Sequence, residues 1–152
     1  MGLLHRANQI DRTIVHVLSE VAIPFLRISL GLTYIWFGTL KILSVSPVHD
    51  LVTKTAFLLP KELFARVLGV FEVVIGLGLL FRVALRLTLL LFFLQLAGTF
   101  SVFFTRPREG FREGNPFLLT KDGEFIIKNL VLLAAGLAVG STARRKDEDV
   151  TG

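Results

Sequence analysis

The stretch AIPFLRISLGLTYIWFGTLKIL, residues 22–43, decides the fold. Apart from Arg27 and Lys41 it carries no charge. About 20 such residues in a helix cross the ~30 Å hydrocarbon layer of a bilayer. Lipid offers no hydrogen bonds, so a spanning segment must pair its own backbone groups, and a helix does this within one segment. Pro24 fits the first turn, where a missing N–H does little harm. Three further blocks read the same way, at about 63–81, 84–104 and 123–140. The sequence therefore predicts an all-α fold: an integral membrane four-helix bundle with almost no soluble part.

On the N-terminal side, Leu3, Ala7, Ile10, Ile14, Val17, Leu18 and Val21 recur at spacings of three and four. His5, Arg6, Gln9, Arg12 and His16 lie mostly on the other side. Residues 1–21 thus predict an amphipathic helix. Next to a span, such a helix lies flat in the interface; the plainer alternative is a surface helix packed on the bundle. Residues 1–20 alternate charged and apolar character, which does not read as a signal peptide.

On the C-terminal side, residues 44–61 form a loop whose apolar patch Ala56–Leu59 is expected to touch the membrane or cap the bundle. Arg82 and Arg86 mark a tight turn, and residues 105–122 form a polar loop. Arg144, Arg145 and Lys146 precede an acidic end, and 141–152 is expected to be a disordered charged tail. The domain reading is one interfacial helix (1–21), one membrane domain (22–140) and this tail.

Composition narrows the chemistry. The chain of 152 residues suits one domain. It has no cysteine, which removes disulfides, thiolate metal sites and dithiol relays. The only histidines, His5, His16 and His49, lie outside the apolar blocks, so a bis-histidine haem within the helices has no ligands. No metal site and no intrinsic cofactor are expected. The net charge is +5, but the basic residues flank apolar spans. There they favour anionic lipid headgroups rather than nucleic acid.

Four spans place both termini on one side. Arg6, Arg12, Arg82, Arg86, Arg144, Arg145 and Lys146 fall on that side; Lys54, Lys61, Arg66, Arg106, Arg108, Arg112 and Lys121 fall on the other. The numbers balance. The residues tightest to span ends, Arg82, Arg86 and Arg144–Lys146, favour cytoplasmic termini.

Ionisable groups inside a membrane are costly, which makes them informative. Arg27, Gly31, Tyr34, Gly38 and Lys41 share one face of the first span. Arg27 and Lys41 lie ~21 Å apart along the helix and cannot serve one site. Ala65, Gly69, Glu72 and Gly76 share one face of the second span. Gly31, Gly38, Gly69 and Gly76 are the expected helix-packing glycines, because small residues let helices approach. Glu72 sits near mid-membrane and needs a counter-cation; Lys41 or Lys128 is expected to supply it. Glu124 and Lys128 stand one turn apart in the favourable order for an ion pair, with Asn129 beside them. The candidate intramembrane polar pocket is Arg27, Tyr34, Lys41, Glu72, Lys128 and Asn129, with no catalytic residue assigned. The rival reading is that Lys41, Arg66 and Glu124 reach the headgroups from the span ends. Gln95 and Thr99 read as interhelical hydrogen-bonding groups, and Trp36 as core packing.

These residues carry a resemblance. Arg27 to Lys41 (RISLGLTYIWFGTLK) resembles the first-helix pattern of the DoxX-like membrane proteins, closest to the YkgB/RclC-type branch. GVFEVVIG at 69–76 resembles that family's second-helix glycine–glutamate pattern, FFTRP at 103–107 the end of its third helix, and GEFIIKNLVLL at 123–133 the start of its fourth. The resemblance covers roughly 22–140. It implies a bacterial or archaeal inner-membrane protein, linked in some relatives to quinone-dependent sulfur oxidation and in others to oxidative or chlorine stress. Its matched positions are Arg27, Lys41, Glu72 and Lys128.

Three functions follow as expectations. The first is a non-catalytic accessory subunit of a respiratory or redox-stress complex, binding quinone or lipid in the polar pocket and docking a membrane-protein partner or a second copy. The second is a quinone-interacting oxidoreductase component in which Lys41, Lys128, Tyr34 or Arg27 donates to the quinone and Glu72 carries the proton. The third is a small oligomeric transporter or proton pathway built on Glu72.

Overall fold

A computed structural model describes residues 2–55 and 60–143. The described residues form an all-α bundle in which four helices are long and apolar enough to cross a membrane. They are α1 (Gly2–Ile42), α3 (Lys61–Phe81), α4 (Leu85–Thr105) and α6 (Lys121–Gly140); the short α2 (His49–Thr55) and α5 (Pro107–Gly110) lie in the loops. The chain is a multi-pass membrane protein by this architecture. Each span boundary towards the loops falls within two residues of the sequence expectation. The tail beyond 143 and the patch Ala56–Leu59 lie outside the described residues.

One boundary differs. The expected division near residue 21 is not a helix end, because α1 runs unbroken from Gly2 to Ile42 with Pro24 inside it. Nothing between Val21 and Ala22 stops a helix, and Pro24 removes only one backbone donor. The candidate span within α1, Ile14–Ile42, is 29 residues long, which at ~1.5 Å each exceeds the hydrocarbon thickness. Ile14, Val17, Leu18 and Val21 are all more than half exposed, so this part of the helix does not pack on the bundle.

The tightest contact is α1 against antiparallel α3. Gly31 faces Gly76 and Gly38 faces Gly69. The partners are seven residues apart on each helix, about two turns, which keeps them on one face. A methyl group on Gly38 would stand 2.5 Å from the Gly69 carbonyl oxygen, and one on Gly76 would stand 2.7 Å from that of Gly31. Only glycine permits this approach, as expected for these four.

Between α3 and α4 the chain turns in three residues. Arg82 and Ala84 take left-handed backbone angles (φ 58° and 42°), and the Arg82 and Val83 N–H groups close on the Gly78 carbonyl. Two apolar clusters fill the bundle. One, nearer the termini, centres on Phe92, Leu79, Ile75 and Val139. The other lies under α2, where Val48, Leu51 and Val52 pack on Ala65, Val102 and Ile126. The first loop therefore caps the bundle through α2. The second is more ordered than a plain polar loop: Phe111 bridges Leu119, Phe103 stacks on Phe111 at 4.9 Å, and Thr120 caps α6 by accepting from the Gly123 N–H.

Candidate functional site

Helix geometry brings Lys41 and Glu72 together. Side chains lean towards the N-terminus of their own helix. In antiparallel α1 and α3, Lys41 therefore leans inward from the loop side, while Glu72 leans outward from mid-span. They meet between. Lys41 Nζ donates to Glu72 Oε1 at 2.6 Å and Oε2 at 2.5 Å. Lys41 is 6% exposed and Glu72 4%, so Lys41 does not reach for the headgroups. Of the two expected counter-cations, Lys41 is the one in place.

The pair extends across the bundle. Gln95 of α4 donates from Nε2 to Glu72 Oε1 at 3.0 Å, and Tyr34 of α1 donates from its hydroxyl to Gln95 Oε1 at 2.9 Å. Tyr34 is held by Phe92, whose ring centre lies 5.0 Å away. Three helices thus share one hydrogen-bonded chain, Tyr34–Gln95–Glu72–Lys41. A carboxylate has about four acceptor positions, an ammonium three donors and an amide two. One Lys41 N–H, one Gln95 N–H and the Tyr34 lone pairs remain after these bonds. The network stays able to donate to a further acceptor.

These four side chains border a cavity of about 640 Å³. That is within the ~300–1,000 Å³ range of small-molecule sites. Phe37, Phe64, Leu68 and Phe71 give it apolar walls, and Val48 together with Leu51 and Val52 of α2 roofs it. Thr105 and Arg106 line its loop-side end, and Asn129 borders it from within α6. The site is a polar floor beneath a greasy shaft.

The other expected residues separate. Arg27 belongs to the opposite end, where its Nη1 donates to the carbonyls of Leu79 (2.5 Å) and Leu80 (2.8 Å) at the C-terminus of α3. There the helix carries unpaired carbonyls and partial negative charge, so a guanidinium is well placed. Arg27 is a clamp on α3 and not part of the cavity. Lys128 is exposed and off the cavity, and it forms no ion pair with exposed Glu124 among the described residues. Its side of α6 faces outward. Asn129, one residue on, is half-buried and lines the cavity.

Two assignments change in role. Trp36 is 69% exposed and faces out, not into the core. It stands two residues from buried Tyr34, nearly opposite on the helix. Thr99 bonds its own helix, donating to the Gln95 carbonyl at 3.2 Å, and does not cross to another. Gln95 does cross, as the interhelical hydrogen-bonding group expected, and it also lines the cavity. Its signal was present: it is the one side-chain amide in the third apolar block. Among the described residues no three His, Asp or Glu side chains converge as metal ligands.

Fold and site together define a multi-pass α-helical membrane protein with a buried ion pair at the base of an amphiphilic cavity. The chain matched no family model, no curated protein and no solved structure.

Proposed function

We propose that this chain is a small DoxX-like inner-membrane protein, with both termini cytoplasmic, that binds a quinone in the Tyr34–Lys41–Glu72–Gln95 cavity as an accessory subunit of a respiratory or redox-stress complex. The observation that carries the reading is the spare donor capacity of Lys41 and Gln95 at the floor of an otherwise apolar cavity. A quinone carbonyl is an acceptor on an apolar ring and fits that pattern. The stretches at 27–41 and 69–76 support the family, and the widely exposed apolar helix faces suit lipid and a membrane partner.

The test is equilibrium binding of a short-tailed benzoquinone to the chain in lipid nanodiscs. Wild type binds, and Glu72→Gln weakens binding about ten-fold, or ~1.4 kcal/mol, because the carboxylate that orients both donors is lost. Absent or equal binding in both proteins would falsify the reading. A catalytic variant of it, an oxidoreductase component, is favoured by the position of the Glu72 carboxylate within the hydrogen-bonded chain. Quinone reduction by the purified chain and a chemical reductant, faster than in Glu72→Gln, is its distinguishing result.

A further inference from the structure

Most glycines inside the spans are explained by contact. At Gly31, Gly38, Gly69, Gly76, Gly78 and Gly136 an added methyl would meet a neighbour within 3.0 Å. Gly98 of α4 is different. A methyl there would meet nothing within 4 Å, and the residue is exposed. Glycine inside a helix is unfavourable relative to alanine, and no packing contact accounts for it here. Yet Gly98 lines the cavity, together with Leu94, Ser101 and Thr105 at spacings of three and four on the same face of α4, all exposed. The cavity is therefore open to the outside along α4. Gly98 lies seven residues from the end of that helix, ~10 Å along its axis, which puts the opening within the hydrocarbon layer.

We infer that Gly98 forms a lateral portal through which a long-tailed amphiphile enters from the bilayer, its polar head resting on Lys41 and Gln95 and its tail leaving past Gly98 into lipid. The inference rests on the quinone reading and adds to it the class of ligand, one with a long apolar tail, and its route. A cavity of about 640 Å³ takes a ring and the first tail units, so the remainder of a long tail needs an exit. A side chain of any bulk at Gly98 would close that exit.

The experiment uses the full chain in nanodiscs and two probes: a decyl-tailed benzoquinone and the same ring without a tail. Gly98→Phe should weaken the tailed probe about ten-fold or more and change the tail-less ring far less. Val131→Phe, on an exposed face of α6 away from the cavity, is the matched control and should change neither. Equal weakening of both probes in Gly98→Phe, or weakening of neither, overturns the portal while leaving quinone binding standing. A second readout does not depend on binding. The chain has no cysteine, so a spin label on Gly98→Cys reports one site. Relaxation by lipid-dissolved oxygen is expected. Relaxation chiefly by a water-soluble nickel chelate would overturn the lateral route. A wild type that binds neither probe fails the quinone reading itself and removes the ligand class proposed here.

Discussion

Lys41 and Glu72 show how an ion pair is held away from water. Each is less than a tenth exposed, each has its charge matched by the other, and Glu72 also accepts from Gln95. The attraction of such a pair roughly offsets its desolvation, but removing one partner leaves a buried charge alone. Lys41→Met should therefore cost about 3–5 kcal/mol, and Lys41→Met combined with Glu72→Leu should recover most of it. Reversible unfolding in mixed micelles measures both. A double variant no more stable than the single would mean that the two charges are not coupled. Tyr34 and Gln95 continue the same logic. Each has a partner on another helix, so a change at one is felt by three spans.

Helix pairs in lipid gain little from burying apolar area, since lipid tails are as apolar as leucine. The α1–α3 pair depends instead on close backbone approach. The opposed glycines provide it, and the clamp of Arg27 on the α3 carbonyls ties the far end. The two kinds of glycine should then respond oppositely. Gly38→Ala forces the backbones apart and should lose ~1–3 kcal/mol, as overpacked sites do. Gly98→Ala meets no atom and should gain roughly 0.5–1 kcal/mol from the better helix former. The same unfolding measurement reads both, and a loss at Gly98 would mean that something does pack there.

For the molecule as a whole, four spans place both connecting loops at one end, above the cavity, and the Arg82–Ala84 turn at the other. On the loop side Val48, Leu51 and Val52 roof the cavity, and the proposed portal at Gly98 would open it to lipid. Cysteines introduced singly at Asp50, Asn115 and Val83 test this arrangement in sealed membrane vesicles. Asp50→Cys and Asn115→Cys should react together with an impermeant maleimide, and Val83→Cys only from the opposite side. Labelling of Asp50→Cys and Val83→Cys from one side would remove a span. The side shared by the loops also tests the proposed cytoplasmic termini.

What the sequence by itself determined was the number and place of the spans. Hydropathy is local and additive, so 22–43, 63–81, 84–104 and 123–140 stand out with no knowledge of neighbours. The glycine faces were legible for the same reason, because helical spacing alone aligns Gly31 with Gly38 and Gly69 with Gly76. Partner choice was not legible. Whether Lys41 or Lys128 answers Glu72 depends on the register of α1 against α3 and the rotation of α6, which no local pattern encodes. Trp36 misled for a physical reason: in lipid a large apolar side chain gains nothing by turning inward. The Tyr34–Gln95–Glu72–Lys41 chain joins residues up to 61 positions apart. Only the packed bundle brings them to one cavity, where each residual donor and the gap at Gly98 acquire a meaning that the linear chain does not carry.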